Sequence, residues 1–103
     1  MIMAEKANYE QTDGKYLLNE LEAIVKAERN EIERENLDID FDVLFSLVDS
    51  PDLTRLELEQ AKRHLTQAWG FNRKYTFDEQ SQERDSKYRN LIFYLSKKLG
   101  EKN

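Results

Sequence analysis

The chain has 103 residues, no cysteine, one histidine and a formal net charge of −5. That length holds one domain with one core, and the lack of thiols excludes disulfides, thiolate zinc sites and cysteine nucleophiles. Residues 1–52 carry 14 acidic and 5 basic side chains, a balance of −9, whereas residues 53–103 carry 7 and 11, a balance of +4. Such a division bears on association rather than on fold.

Charged side chains make up 36% of the sequence, yet the apolar ones are large and periodic, which argues against disorder. Three Gly and one Pro leave long uninterrupted segments that favour helices. The start, Met1-Ile2-Met3-Ala4-Glu5-Lys6, lacks the apolar core of a signal peptide. The longest apolar run, Leu91–Leu95, is far short of the roughly 20 residues that span a bilayer. The expected location is the cytoplasm.

Residues 1–12 are polar and expected to be loose. From Lys15, the residues Leu17, Leu18, Leu21, Ile24 and Val25 form one stripe of a 3.6-residue period. Thr12 or Asp13 is placed to cap that helix. The stripe thins beyond Val25, so Glu28–Glu35 reads as a solvated extension or a fraying end. Ile39–Val48 is apolar nearly all round and reads as a short buried helix, with a strand as the competing choice. Ser50-Pro51 ends it.

Thr54 and Glu57 then form a capping box, with Leu53 and Leu58 set for a hydrophobic staple. Leu58, Ala61, Leu65, Ala68 and Trp69 make the stripe of a third helix, and Gly70 is placed as its left-handed stop. Thr76 and Glu79 repeat the capping-box spacing. The stretch Asp78–Lys87 has almost no apolar residues, so the last helix starts either there or near Asp85–Ser86. Tyr88, Leu91, Ile92, Leu95 and Leu99 carry its stripe, and Gly100 ends it. Four helices on short connections predict an all-α chain, an antiparallel up-down four-helix bundle.

No catalytic or cofactor signature emerges. His64 has Ala61 three residues before it, not the Glu of a bundle metal site. Asp38, Asp40, Asp42 and Asp49 echo a calcium loop, but Val43 stands at its glycine position and Ile39 and Phe41 interleave the carboxylates. These aspartates read instead as caps at the positive end of the second helix. Glu28, Glu31, Glu33 and Glu35 read as a solvated acidic face. Neither a phosphate loop nor a nucleophile elbow is present. The expectation is a protein without enzymatic activity, cofactor or metal.

Two segments are candidates for partner binding. The turn at residues 69–77 gathers Trp69, Phe71, Arg73 and Tyr75, residue types that dominate interface hot spots. The alternative is that Trp69 and Phe77 plug the end of the core. On the last helix Arg89, Phe93, Tyr94, Lys97 and Lys98 add an aromatic and basic surface beyond the apolar stripe, suited to an anionic membrane face or a partner helix. Its alternative is lateral packing on the acidic first helix.

The run Leu44-Phe45-Ser46-Leu47-Val48-Asp49-Ser50-Pro51-Asp52-Leu53-Thr54, followed by Glu57, Ala61 and Leu65, resembles bacteriocin immunity proteins of lactic-acid bacteria and streptococci, of the enterocin A immunity type. The likeness covers roughly residues 40–99. It implies a cytosolic four-helix bundle that protects a producer cell by meeting the membrane receptor a bacteriocin targets, with no catalytic residues. Tyr9-Glu10-Gln11-Thr12 and Asn19-Glu20-Leu21 are similar to the start of epsilon-type antitoxins, small acidic helical proteins that mask a kinase toxin. A helix-turn-helix regulator would use Lys62, Arg63, Arg73 and Lys74. Its turn at 70–75 is long for that motif and the acidic half repels phosphates, so nucleic acid is not an expected partner.

Overall fold

The computed structural model describes residues 12–75 and 78–101, and all its regular elements are helical. Helix α1 spans Asp13–Glu28, α2 Glu31–Glu35, α3 Phe41–Val48, α4 Arg55–Asn72 and α5 Glu79–Glu101, with a 3-10 turn at Arg73–Tyr75 after α4. Each start has a local cause. Thr12 Oγ1 accepts from the Lys15 N–H at 3.2 Å and opens α1. Asp40 accepts from the Val43 N–H at 3.2 Å and opens α3, so the apolar run is a helix and not a strand. The capping box is complete: Glu57 N–H donates to Thr54 Oγ1 at 3.1 Å and Thr54 N–H to Glu57 Oε1 at 3.0 Å. Its staple residues Leu53 and Leu58 are both buried.

Three sequence expectations change. The stretch after α1 is no frayed end: Asn30 Oδ1 caps the Ile32 and Glu33 N–H groups, each at 3.0 Å, and starts a separate helix. Gly70 is no stop. Helix α4 runs through it to Asn72, and no described residue has a positive φ. The end is made by tightening into the 3-10 turn, where the Arg73 N–H reaches the Trp69 and Phe71 carbonyls. Helix α5 likewise passes through Gly100 to Glu101, and it starts early, at Glu79. Asp78 Oδ1 accepts from the Ser81 N–H at 2.7 Å there. Thr76 and Phe77, given roles by the sequence reading, lie outside the described residues, as do residues 1–11.

Helix directions follow from who meets whom. Ser50 at the end of α3 donates to Asp13 at the start of α1 at 2.7 Å, so these two run antiparallel. Gly14 lies against Glu57, and Val25 and Lys26 lie near Gln67, so α1 and α4 run parallel. Arg55 reaches the Leu99 carbonyl at 3.3 Å and Trp69 reaches Asp85 at 2.7 Å, so α4 and α5 run antiparallel. Direction thus alternates through α1, α3, α4 and α5. Adjacency does not follow the chain, however. Helix α4 lies between α1 and α5, and the short α3 packs on α1 and α5. The result is a slab of 39 × 39 × 18 Å. Its core is Leu17, Leu21, Leu44, Val48, Leu58, Leu65, Leu91 and Leu95, with Ala61 and Ala68 on the packed face of α4.

Candidate functional site

The nine residues proposed for partner binding separate into two regions. At the end of α4 the aromatic rings are half-buried and engaged within the chain. Trp69 Nε1 donates to Asp85 Oδ1 at 2.7 Å, and the Arg73 guanidinium lies 4.9 Å from the Trp69 ring centre. Arg29 and Lys74 flank Phe71 at 5.8 and 5.6 Å, and Arg34 stacks on Tyr75 at 3.9 Å. Cation–ring contacts of this kind give about 0.5–1 kcal/mol when exposed and about 2 when desolvated. The cluster therefore joins the α1–α2 corner to the end of α4, and the Trp69–Asp85 bond ties α4 to α5.

Beside that joint lies a buried polar network. Glu28, only 1% exposed, receives Arg34 Nε at 3.3 Å on Oε1. On Oε2 it receives Arg84 Nε at 3.2 Å and the Tyr88 hydroxyl at 2.6 Å. Arg34 Nη2 continues to Asn72 Oδ1 and Ser81 Oγ, both at 3.2 Å. Asn72 Nδ2 donates to the Ser81 carbonyl at 2.8 Å. Among the described residues every buried side-chain polar atom has a partner. Burial and the Glu28 hydrogen bond push the Tyr88 hydroxyl far above its ordinary pKa. Asp78 is held below the usual carboxylate range, first by the Ser81 backbone N–H. Three donors from α2 and α5 converge on this one carboxylate of α1, so the network holds these helices together.

The sequence reading placed Glu28 on a solvated face, and the fold buries it. Its phase shows why: Leu17, Leu21, Ile24 and Glu28 share one helical stripe. Asn72 continues the stripe Leu58, Ala61, Leu65, Ala68. Ser81 and Arg84 extend Tyr88, Leu91, Leu95 backwards. Polar residues in phase with an apolar stripe were the available signal.

The second region is the outer side of α5. Tyr94 and Lys98 are anchored, not open: the Tyr94 hydroxyl donates to Asp49 Oδ1 at 2.7 Å, and Lys98 Nζ lies 2.6 Å from the same oxygen. These bonds clamp the end of α3 to α5. They hold the Asp49 carboxyl below its ordinary pKa, Lys98 contributing most and then Tyr94, while the same carboxylate raises Lys98 and Tyr94. Arg89, Phe93 and Lys97 remain exposed. They are spaced four apart and share one face. Phe93 is 75% exposed, and Arg89 makes an i,i+4 pair with Asp85 at 3.7 Å.

Of the four aspartates that echo a calcium loop, Asp40 caps α3 and Asp49 is held by Tyr94 and Lys98, so these two have separate tasks. Among the described residues no three His, Asp or Glu side chains gather as metal ligands, and no helix is long and apolar enough to cross a membrane. Comparison with family models, curated proteins and solved structures finds no match.

Proposed function

We propose that this protein is a non-enzymatic cytosolic protector that confers immunity to a bacteriocin by docking at the inner membrane face or at the receptor the bacteriocin targets. The observation that carries the reading is Phe93, 75% exposed, with Arg89 and Lys97 one turn to either side on the outer face of α5. A large aromatic side chain left in water beside two cations suits a surface that is apolar within and anionic at its rim. Anionic lipid attracts each such cation by about 1 kcal/mol. The all-α fold and the alternating chain direction of α1, α3, α4 and α5 support the reading, while the parallel packing of α1 on α4 departs from a strict up-down bundle.

The test is expression in sensitive bacteria challenged with a panel of bacteriocins. The parent protects against one of them. Phe93→Ala with Lys97→Glu abolishes protection while the melting temperature stays within a few degrees. Lys98 is left untouched, because its loss would open the α3 clamp. A folded double variant that protects as well as the parent rejects this contact surface.

A second reading, an antitoxin that masks a protein toxin, is favoured by the −9 balance of residues 1–52. Rescue of cells from a kinase toxin, with no bacteriocin protection, decides for it. A helix-turn-helix reading gains no support, since α4 and α5 lie antiparallel side by side and not crossed.

A further inference from the structure

Helices α1 and α3 and the link 37–40 enclose an open groove of ≈ 510 Å³ on the side of the molecule that α4 does not cover. Its floor is apolar. Ile24, Ala27 and Leu44 show their core-facing side chains at its base, and Tyr16 and Val43 line it while 41% and 40% exposed. Its rim is acidic, formed by Glu20, Asp38 and Asp40. A shallower hollow of ≈ 320 Å³ shares Asp38, Ile39 and Asp40 with it and extends the acidic edge to Asp42. Lys87 is the cation on that edge, and it is paired with Glu83 at 3.6 Å. No described cation lies within salt-bridge distance of Glu20, Asp38, Asp40 or Asp42.

We infer that this groove docks a cationic amphipathic helix of a protein partner. Shape and charge argue together. The lining runs from Tyr16 to Ala27 along α1, which is about 16 Å or three turns at 1.5 Å per residue. A partner helix of that length presents apolar anchors at i, i+3 or i+4, and i+7 to such a floor. Its flanking Lys or Arg then meet Glu20 on one wall and Asp38 and Asp40 on the other. A groove without the acidic rim would accept any apolar helix. The rim selects a basic one and rejects an acidic one, because like charges set face to face cost several kcal/mol. The surface is distinct from the Phe93 stripe of α5, so the inference does not depend on the functional reading given above.

The probe is a synthetic amphipathic helix of about five turns with Leu on one face and Lys on the other, labelled for fluorescence anisotropy against the full chain. A second peptide carries Glu at every Lys position. The Lys peptide binds, the Glu peptide does not, and amide shifts in the parent protein concentrate at Ala23, Ala27 and Val43. Glu20→Lys with Asp38→Lys weakens binding by about tenfold or more. Both positions are exposed and neither caps a helix, so the fold is retained, as circular dichroism verifies. Glu31→Lys with Glu33→Lys makes the same charge change on α2, away from the groove, and leaves affinity within about threefold. Equal loss in the two double variants, or amide shifts centred on α5, reduces the binding to general charge attraction and overturns the inference. Equal binding of both peptides also overturns it, as does self-association of the parent that the Glu20→Lys, Asp38→Lys pair abolishes. In that last case the groove belongs to a second copy.

Discussion

Glu28 and Arg84 stand 56 positions apart in the chain and meet at 3.2 Å in its interior. The carboxylate is fully buried and binds Arg34 on its other oxygen at 3.3 Å. One acid therefore draws α2 and α5 onto the end of α1, where apolar packing alone has run out.

Truncating that acid leaves two buried guanidiniums, Arg34 and Arg84, without the carboxylate that pairs them both, and Asp78 remains as a nearby negative charge. Removing one partner of a buried pair typically costs about 3–5 kcal/mol. Glu28→Ala is expected to fall in that range by urea denaturation, a large part of the total stability of a domain this size. Tyr88→Phe keeps the ring against Phe41, 5.5 Å away, and removes only the hydroxyl bond to the carboxylate. That bond to a charged group amounts to about 1.5–3 kcal/mol. A Glu28→Ala midpoint close to the parent's would show that the network contributes nothing net.

Much of the helix plan could be read from the sequence. Thr12, Asp40 and Thr54 each cap the helix that follows, and the stripes beginning at Leu17, Leu58 and Tyr88 all face the core. What escaped was the inward face of Ser81 and Arg84, because hydrophobic periodicity does not register a polar face that is buried and satisfied. Gly70 and Gly100 misled for a different reason: a glycine permits a left-handed stop without requiring one. Of the candidate site, the exposure of Phe93 followed from its being out of phase with Leu91 and Leu95. The anchoring of Tyr94 and Lys98 by Asp49 depends on where α3 ends in space, which no local pattern encodes.

Thr54→Ala removes the oxygen that accepts from the Glu57 N–H and is expected to lower stability by about 1 kcal/mol. Thermal or chemical unfolding reads this directly. An unchanged midpoint would mean that α4 does not depend on its box.

Gly14 packs against the Glu57 side chain so closely that a methyl group there would meet the carboxylate. Alanine gains up to about 1 kcal/mol in helix propensity over glycine. It also displaces the carboxylate that accepts from the Thr54 N–H, a bond of about 1 kcal/mol. Gly14→Ala alone should therefore leave stability within about 0.5 kcal/mol of the parent. Made after Glu57→Ala, the same change should stabilise by close to the full propensity gain. A double-mutant cycle measures the difference, and strictly additive effects would place Glu57 elsewhere.

The clamp on α3 makes a prediction about pH. Asp49 has its carboxyl pKa lowered from 3.8, chiefly by the Lys98 hydrogen bond, so it binds a proton less readily folded than unfolded. Its contribution is complete above the ordinary carboxylate pKa and is lost as pH falls through the lower, folded value. Lys98 and Tyr94 are shifted upward by the same carboxylate. Their contributions are complete below their ordinary values and are lost as pH rises through the raised ones. Parent protein should thus lose melting temperature at both extremes. Asp49→Asn removes the common partner, so it should flatten the alkaline loss and reduce the acid one. The acid loss does not vanish, because Asp78 is also lowered, by the Ser81 backbone N–H in the main. All the groups of the clamp are partly exposed, so salt should shrink the difference between parent and variant. Melting curves of the two proteins across the pH range, at low and at high salt, check each limb. Parallel curves at every pH would show that Asp49 titrates as a free carboxylate and that the α3 clamp is open in solution.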